Sequence, residues 1–274
     1  MSVKFEKNTF KKRIKSMLGV DFRRMFTSPL FYIMVGASLV MPILILVMTS
    51  MMDGTVSVNP QTGEETIMEG FKNVWQIIGS VSGGNQAMAG GNQAMAMDIT
   101  SMCNINMMFF IIAVFVCIFV GDDFRSGYAK NIFTVRAKKD DYVISKSITC
   151  FVAGACMILA FFVGSMIGGA IAGLPFALEG ATAFNVVMCV LSKVLLVGIF
   201  SSIYVLASVF AKQKLWLSLI MSFGIGMLMF MMIPIITPLN STIVNVLLCF
   251  VGSALFSYGI GVGSYYILKK SSLI

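Results

Sequence analysis

Six long apolar runs constrain this chain more than any other feature of its sequence. They cover residues 30–52, 101–120, 147–172, 184–210, 215–236 and 243–268. A helix needs about 20 predominantly apolar residues to cross the hydrocarbon core of a bilayer, and each run has roughly that length or more. Charged residues make up only 12% of the chain, which is about half of the share in an ordinary soluble domain. The sequence therefore predicts an all-α integral membrane protein with six transmembrane helices.

The basic residues predict how these helices are oriented. Of the 20 Lys and Arg, eight lie in residues 1–29 and six in residues 121–146, and two pairs follow at 212 and 214 and at 269 and 270. Lys and Arg are enriched in the cytoplasmic connections of membrane proteins. Both termini are therefore expected in the cytoplasm, with residues 53–100 outside, in a multi-pass protein of the plasma membrane.

Residues 1–29 are expected to form a cytoplasmic part of their own, ahead of a six-span domain at 30–274. Apolar side chains recur there at helical spacing, with Lys and Arg on the other face, which predicts an amphipathic helix in the inner membrane interface. The apolar positions are Phe10, Ile14, Met17, Leu18, Phe22, Met25 and Phe26. Ser28-Pro29 is expected to end this helix and to start the next, because serine is a favoured cap and proline a favoured first residue. A basic tail that only sets the topology is the alternative.

Two short segments of the outer loop are predicted to be structured. Thr55–Val58 and Glu65–Met68 flank the turn residues Asn-Pro-Gln-Thr-Gly, which favours a hairpin. Further on, Phe71, Val74, Trp75 and Ile78 follow helical spacing. They predict a short helix over 69–81 that rests on the outer leaflet.

The end of the outer loop carries the stretch GGNQAMA twice, at 83–89 and at 90–96. Its beginning, Ser82–Gln86, resembles the signature loop of ABC-type ATPases. A phosphate-binding loop needs a Gly-Lys pair, and no lysine of this chain follows a glycine. Together with the expected outer location, this argues against a nucleotide site, and the duplication is interpreted as an insertion that an outer loop tolerates.

No set of residues predicts catalysis, a cofactor or a metal site. The chain has no His, which removes the commonest metal ligand and the commonest proton shuttle near neutral pH. Its six Cys have no paired spacing and are interpreted as small buried apolar residues. The acidic pairs Asp122-Asp123 and Asp140-Asp141 lie in predicted loops, where solvated charge is expected.

Lys193 is the clearest charge within a predicted span, about nine residues into the fourth. Two interpretations remain open. The side chain either reaches the outer interface or lines a cavity, where it would contact substrate or pair with Glu179. Since no Asp or Glu lies within any predicted span, coupling to protons or sodium is not expected, and energy for transport is expected from another subunit.

Small residues and prolines predict local features of the helices. Gly164-x-x-x-Gly168 and Gly169-x-x-x-Gly173 in the third span, and Gly259-x-x-x-Gly263 in the sixth, are typical of faces at which helices approach closely. These faces pack within the chain or between protomers. Pro234 and Pro238 are expected to break the fifth helix near its outer end.

Residues 121–146 read GDDFRSGYAKNIFTVRAKKDDYVISK. An acid at the end of the second span, the pair Gly127-Tyr128, an apolar stretch, Arg136 and a closing Lys146 resemble the permease subunits of type-2 ABC exporters. The segment Arg23–Pro29 and the six-span layout with both ends inside add to the resemblance. That family often has proline before its basic residue, where this chain has Thr134-Val135.

The resemblance implies an export permease without an ATPase of its own, working as a homo- or heterodimer with separate ABC ATP-binding subunits. It also implies that residues 123–139 form a coupling helix that docks into a groove of the ATP-binding subunit. The residues expected to carry this contact are Asp123, Phe124, Gly127, Tyr128, Ile132, Phe133, Arg136 and Lys138. A basic loop held against anionic lipid is the alternative.

The expected function is ATP-driven export of an amphipathic or hydrophobic substrate: an antimicrobial peptide, a lipid or a drug. Met and Phe, at 23 each, suit an adaptable apolar path, although lipid-facing surface explains them equally well. A secondary carrier or channel is one alternative. A membrane immunity or assembly protein that binds a partner without transport is another.

Overall fold

The computed structural model describes residues 10–58, 65–67, 70–79, 103–135, 139–177, 180–230 and 232–270. The two GGNQAMA copies, Arg136, Lys138 and Glu179 lie outside the described residues.

Helices form nearly all of the described chain. They are α1 (Phe10–Thr27), α2 (Pro29–Met52), α3 (Met108–Arg125), α4 (Tyr128–Val135), α5 (Lys139–Ala172), α6 (Ala183–Ala211), α7 (Leu215–Phe230), α8 (Ile233–Ile236) and α9 (Ile243–Lys270), with short 3-10 helices at Val74–Ile77 and Ile105–Met107. The break between α1 and α2 falls at Ser28, with Pro29 in the first turn of α2, as the Ser-Pro pair predicts.

Five helices of the described chain are long and apolar enough to cross a bilayer: α2, α3 with the 3-10 turn before it, α5, α6 and α9. The remaining predicted span, 215–236, is divided, because α7 ends at Phe230 and α8 begins at Ile233. Pro234 lies in the first turn of α8, where its missing N–H removes no helical hydrogen bond. The predicted break near this proline is confirmed, and five full-length helices and one broken segment stand where the sequence predicts six helices.

The helices form a bundle with two distinct ends. At the charged end, Arg24 of α1 contacts Asp123 of α3, and the Lys139 Nζ of α5 donates to the carbonyl of Leu268 in α9 at 2.7 Å. At the opposite end, the Asn185 side chain at the start of α6 donates to the carbonyl of Ser241 at 3.1 Å. The first described helix and the last turn of α9 therefore lie at the same end.

The broken segment α7–α8 connects the two ends. Leu215, at the start of α7, packs against Gly121 near the end of α3. Thr237, directly after α8, receives a hydrogen bond from the Nζ of Lys193 at the opposite end.

The segment Gly70–Gly79 packs into the opposite end of the bundle. The Trp75 Nε1 donates to the carbonyl of Phe176 at 3.1 Å, and the Val74 amide donates to that of Pro175 at 3.3 Å. Of the short helix predicted over 69–81, the described residues 70–79 form only a 3-10 turn at Val74–Ile77. Its predicted place on the outer leaflet is wrong, since the side chains of Val74 and Ile77 are fully buried. Helical spacing cannot distinguish an apolar face on lipid from one on protein.

The predicted hairpin in the outer loop is confirmed. Strands β1 (Val56–Val58) and β2 (Glu65–Ile67) are antiparallel. Val56 pairs with Ile67 and Val58 with Glu65.

Close packing of α2 on α5 depends on two glycines of the third predicted span. A Cβ added at Gly164 would collide with the carbonyl oxygen of Leu39, and one at Gly168 would lie 2.7 Å from the Cα of Ile43. This glycine pair therefore lies at a helix contact within the chain. By contrast, a Cβ at Gly259 would meet nothing within 4 Å in the described chain.

Helix α6 is the most buried of the five long helices. In its most apolar stretch, 78% of the residues are buried by the rest of the described chain, against 22% in α2 and 11% in α9. It packs against α9 at Gly198, whose carbonyl accepts a hydrogen bond from the Ser257 hydroxyl at 2.8 Å. Functional groups on α6 are consequently held away from lipid.

Replacing Gly164 tests the α2–α5 contact. We expect Gly164→Ala to lower the free energy of unfolding by about 1–3 kcal/mol, because the methyl group forces the helix backbones apart. Gly252→Ala in α9 is the matched control, since a Cβ there meets nothing within 4 Å, and alanine favours a helix by about 1 kcal/mol over glycine. Detergent unfolding followed by circular dichroism measures both, and equal stability of the two variants would contradict the packing assignment.

Candidate functional site

A buried ionic cluster joins three helices at the charged end. Asp21 of α1, Asp123 of α3 and Lys146 of α5 are each fully buried. The sequence brings these groups together because each lies within a turn or two of a helix end that faces the same side. A buried charge is stable only when it is paired and hydrogen-bonded, so their mutual geometry decides whether the cluster holds.

Lys146 bridges the two carboxylates. Its Nζ lies 2.8 Å from Asp21 Oδ1 and 2.8 Å from Asp123 Oδ2. The second oxygen of Asp21 accepts a hydrogen bond from the Ser145 hydroxyl at 2.5 Å. One ammonium group thus connects α1 to α3 through α5.

Asp123 has two further partners. Its Oδ1 accepts from Arg24 Nη1 at 2.7 Å, and its Oδ2 accepts from the Tyr142 hydroxyl at 2.8 Å. With Arg24 included, two carboxylates face two cations. The cluster is therefore neutral, which reduces the cost of its burial.

Aromatic rings enclose the cations. The Arg24 guanidinium lies 4.0 Å from the ring centroid of Tyr128 at the start of α4, and the Lys146 ammonium lies 4.3 Å from that of Phe119. Such a contact stabilises a desolvated cation by about 2 kcal/mol; this applies to Lys146, whereas the Arg24 side chain is 33% exposed and gains less. Tyr128 thereby attaches α4 to α1.

A second ionic contact ties the beginning of α1 to the beginning of α5. The Arg13 Nε donates to Asp141 Oδ2 at 2.8 Å, and Asp141 is 1% exposed. The hydrogen bond that Arg13 donates to this carboxylate raises the pKa of the Arg13 guanidinium. Burial alone would lower the pKa of Arg24, but the charge of Asp123 and its hydrogen bond outweigh burial, so that this pKa is raised as well. Both groups stay charged at neutral pH.

Helix α4 lies on the bundle with its apolar side inward. Gly127 has a φ of +75°, a left-handed conformation that lets the chain turn from α3 into α4. Phe124 is buried, and the ring of Phe133 packs edge-on against that of Tyr142 with centroids 5.2 Å apart. Ile132 is partly buried against the same core.

The outward side of α4 is polar. Lys130, Asn131 and Thr134 are exposed there, as are Arg125 and Ser126 just before it. The aromatic and aliphatic residues predicted to anchor a partner therefore also hold α4 to its own bundle, although Tyr128, Ile132 and Phe133 stay partly exposed. The fully exposed part of the surface of α4 is polar and basic. Of the predicted contact residues, Arg136 and Lys138 lie outside the described residues.

The expectation of solvated acidic pairs is wrong for one member of each pair. Asp123 and Asp141 are buried, whereas the side chain of Asp122 is 56% exposed. The helices extend beyond the apolar runs, α3 to Arg125 and α5 back to Lys139, so that every second acid turns toward the bundle.

Asp21 is not among the residues for which the sequence pattern predicts a functional role. Its signal lies in the buried face of α1, where it stands between Met17 and Met25 at intervals of four residues. An acid in the middle of an apolar stripe on a cationic helix indicates a buried partner of opposite charge.

These residues fall in a region that comparison with known proteins identifies. A family model described as ABC-2 family transporter protein matches residues 22–229. The chain belongs to the ABC-2 transporter family. Comparisons with curated proteins and with solved structures give no match. The family match includes Arg24, Asp123, Tyr142 and Lys146 and begins one residue after Asp21.

Membership in the ABC-2 transporter family identifies the chain as a membrane component of an ABC transporter, and it implies association with an ABC ATP-binding subunit. Members of the family are typically non-enzymatic membrane components. Among the described residues of this ABC-2 protein, no group of three or more His, Cys, Asp or Glu is placed to hold a metal ion.

The second candidate position, Lys193, is separate from the ionic cluster. It is fully buried in α6 at the opposite end, and its Nζ donates to Asn106 Oδ1 at 2.8 Å and to Thr237 Oγ1 at 3.0 Å. The ammonium group therefore does not reach the surface of the described chain. Glu179, its alternative partner, lies outside the described residues.

Removing the bridging lysine tests the ionic cluster of this ABC-2 protein. Lys146→Gln leaves two buried carboxylates with one cation, so we expect the free energy of unfolding to fall by about 3–5 kcal/mol. Adding Asp21→Asn restores the charge balance and is expected to recover part of that loss. Unfolding by denaturing detergent, read as helical circular dichroism, measures both variants.

The control for this series is Asp122→Asn, the exposed acid beside the cluster, which is expected to change stability by about 0.5 kcal/mol or less. A double variant less stable than Lys146→Gln alone would contradict the proposed charge balance.

Proposed function

We propose that this chain is the permease subunit of an ATP-driven export system, with energy supplied by a separate ATP-binding subunit. The observation that carries the proposal is the buried ionic cluster, because it joins α1, the end of α3, α4 and the start of α5 into one unit. A force applied to α4 would then move three long helices together rather than bend a loop.

The membrane topology proposed here has six crossings and both termini in the cytoplasm. The five long apolar helices supply five crossings, and the α7–α8 segment supplies the sixth as a broken helix. The excess of Lys and Arg in segments 1–29 and 121–146 supports a cytoplasmic location for the charged end of the bundle. The plasma membrane is the proposed location.

Helix α1 is proposed to lie in the inner membrane interface. Its Met17 and Met25 face the bundle, whereas Phe10 is 52% and Phe26 46% exposed. Apolar side chains beside Lys and Arg suit the boundary between acyl chains and anionic headgroups.

Helix α4 is proposed to be the docking element for the ATP-binding subunit. Its exposed side offers Lys130, Asn131 and Thr134, which favours a groove lined by acidic and hydrogen-bonding groups. The inward residues Phe124, Tyr128, Ile132 and Phe133 would then act by holding α4 rigidly. Closure of two ATP-binding subunits would move α4 and α1 together and change access to the pathway.

The proposed assembly contains two permeases, identical or different, and two ATP-binding subunits. The proposed substrate is amphipathic or hydrophobic, such as an antimicrobial peptide, a lipid or a drug. The apolar composition of the helices supports this substrate class.

Reversing the charge on the exposed side of α4 tests the docking role. We expect Lys130→Glu to weaken copurification of a co-expressed ABC ATP-binding subunit by about tenfold, because a like charge then faces an acidic groove. The side chain is exposed, so stability should not change. Pull-down from membranes co-expressing both subunits measures the association.

Lys270→Glu is the matched control, an exposed lysine at the charged end on α9, and it should leave copurification unchanged. If Lys130→Glu and Lys270→Glu bring down as much ATP-binding subunit as the unaltered permease, α4 is not the docking element. If the unaltered chain brings down none, the permease proposal itself fails.

A further inference from the structure

Lys193 places a positive charge deep within the bundle. It lies ten residues after the start of α6 at Ala183, which is about 15 Å along the helix. Its side chain is fully buried, and α6 is the span that is best shielded from lipid. A lysine in such a place faces the bundle interior, where ionisable residues generally mark sites for ligands.

The described partners of Lys193 are both neutral. Asn106 Oδ1 and Thr237 Oγ1 accept its hydrogen bonds, but neither oxygen carries a formal charge. Lys146 at the charged end, by contrast, meets two carboxylates. Two neutral acceptors satisfy hydrogen bonding but leave the ammonium charge uncompensated, which costs free energy in a medium of low polarity.

Separate parts of the chain close over this ammonium group. Asn106 belongs to the 3-10 turn before α3, and Thr237 to the turn after α8. At the end of the segment Gly70–Gly79, a Cβ on Gly79 would lie 3.9 Å from the Thr237 carbonyl oxygen and 3.9 Å from the Cys189 Sγ. Because three connections cover the site, their separation would uncover the charge without unfolding α6.

Two further polar groups lie on α6 toward the charged end, beyond the buried apolar side chains of Val197 and Phe200. Tyr204 lies on the same side of α6 as Lys193, since 11 residues are close to three helical turns, and Ser208 lies about 60° away from that side. The buried Tyr204 hydroxyl has no hydrogen-bond partner among the described residues. Ser208 contacts Ser218 of α7 at 2.8 Å. A buried hydroxyl without such a partner is rare, and this one lies about three helical turns from Lys193 on the same side of α6.

We propose that Lys193 binds the anionic group, a phosphate or a carboxylate, of the amphiphile that the permease moves. Asn106 and Thr237 occupy its hydrogen-bonding positions in the closed form, and the substrate anion replaces them when the opposite end opens. On its way toward the charged end the molecule passes Tyr204 and Ser208. This inference rests on the proposed export function and narrows the substrate to anionic amphiphiles.

Binding of dodecyl phosphate to the purified full-length chain in phosphatidylcholine nanodiscs tests the proposal. We expect affinity at least about tenfold higher than for dodecyl maltoside, since only the phosphate can accept a charge-assisted hydrogen bond that also neutralises the ammonium group. Lys193→Gln should abolish this preference and Lys193→Arg should retain it. Lys212→Gln, a lysine between α6 and α7 at the other end of the same helix, is the control that should leave it unchanged.

A second variant keeps the test decisive if Lys193→Gln does not fold. Asn106→Asp has nearly the same shape and gives the ammonium group an internal carboxylate, so it should also abolish the preference. If both Lys193→Gln and Asn106→Asp retain the preference, the proposal is wrong. It is also wrong if the unaltered chain shows no preference; a preference that then appears in Glu179→Gln would assign Glu179 as the partner of Lys193.

Inorganic phosphate separates the two sources of the anion. The proposal predicts that it does not compete with dodecyl phosphate at equal concentration, because the alkyl chain contributes to binding. Equal competition would assign the site to a small free anion and would contradict the proposal that the ligand is an amphiphile. All these outcomes are independent of copurification with the ATP-binding subunit, so failure here would leave the permease proposal intact.

Discussion

The arrangement of the charged end depends on one ammonium group between two carboxylates. Lys146 is connected to Asp21 and Asp123 in a place where none of the three side chains reaches solvent. Such a bridge is strongly directional, because a displaced carboxylate would remain buried and unpaired. Helices held by apolar contacts alone could slide past one another by a fraction of a turn at little cost in free energy. This bridge, by contrast, fixes the position of α1 relative to α3 and α5. Helix α4 is held by the same group of residues through Tyr128 and Arg24.

The long apolar helices could be predicted from sequence because hydrophobic length is a one-dimensional property. The prediction succeeded for α2, α3, α5, α6 and α9, and the chemistry of proline located the break before α8. It failed for the placement of segment 69–81, because the same spacing of Val74 and Ile78 serves a lipid-facing helix and a buried turn equally well. No local sequence pattern predicts that the carbonyl groups of Pro175 and Phe176 accept hydrogen bonds from that segment.

The ionic cluster was only partly predictable for a related reason. Asp123 and Lys146 stand out by their places at the two ends of a connection, but Asp21 lies about a hundred residues earlier in a cationic helix. Pairing across that distance depends on the packing of α1 against α5, which no local pattern encodes. The inward orientation of Phe133 also depends on packing, since the ring that receives it belongs to Tyr142 in the next helix. Exposed apolar anchors and internal packing residues are indistinguishable until the neighbouring helix is placed.

Lys193 also imposes an order on the biogenesis of the protein. A lysine at the centre of a span costs about 2.5–3.5 kcal/mol during insertion. Its partner Asn106 precedes it by 87 residues, but Thr237 follows it by 44, so α6 enters the bilayer before the turn that carries this second acceptor has joined the bundle. The Val, Leu, Ile and Phe residues of α6 must therefore drive insertion against an incompletely satisfied cation. The site around Lys193 becomes complete only when the turn after α8 has joined the bundle, which makes its closure a late event in assembly.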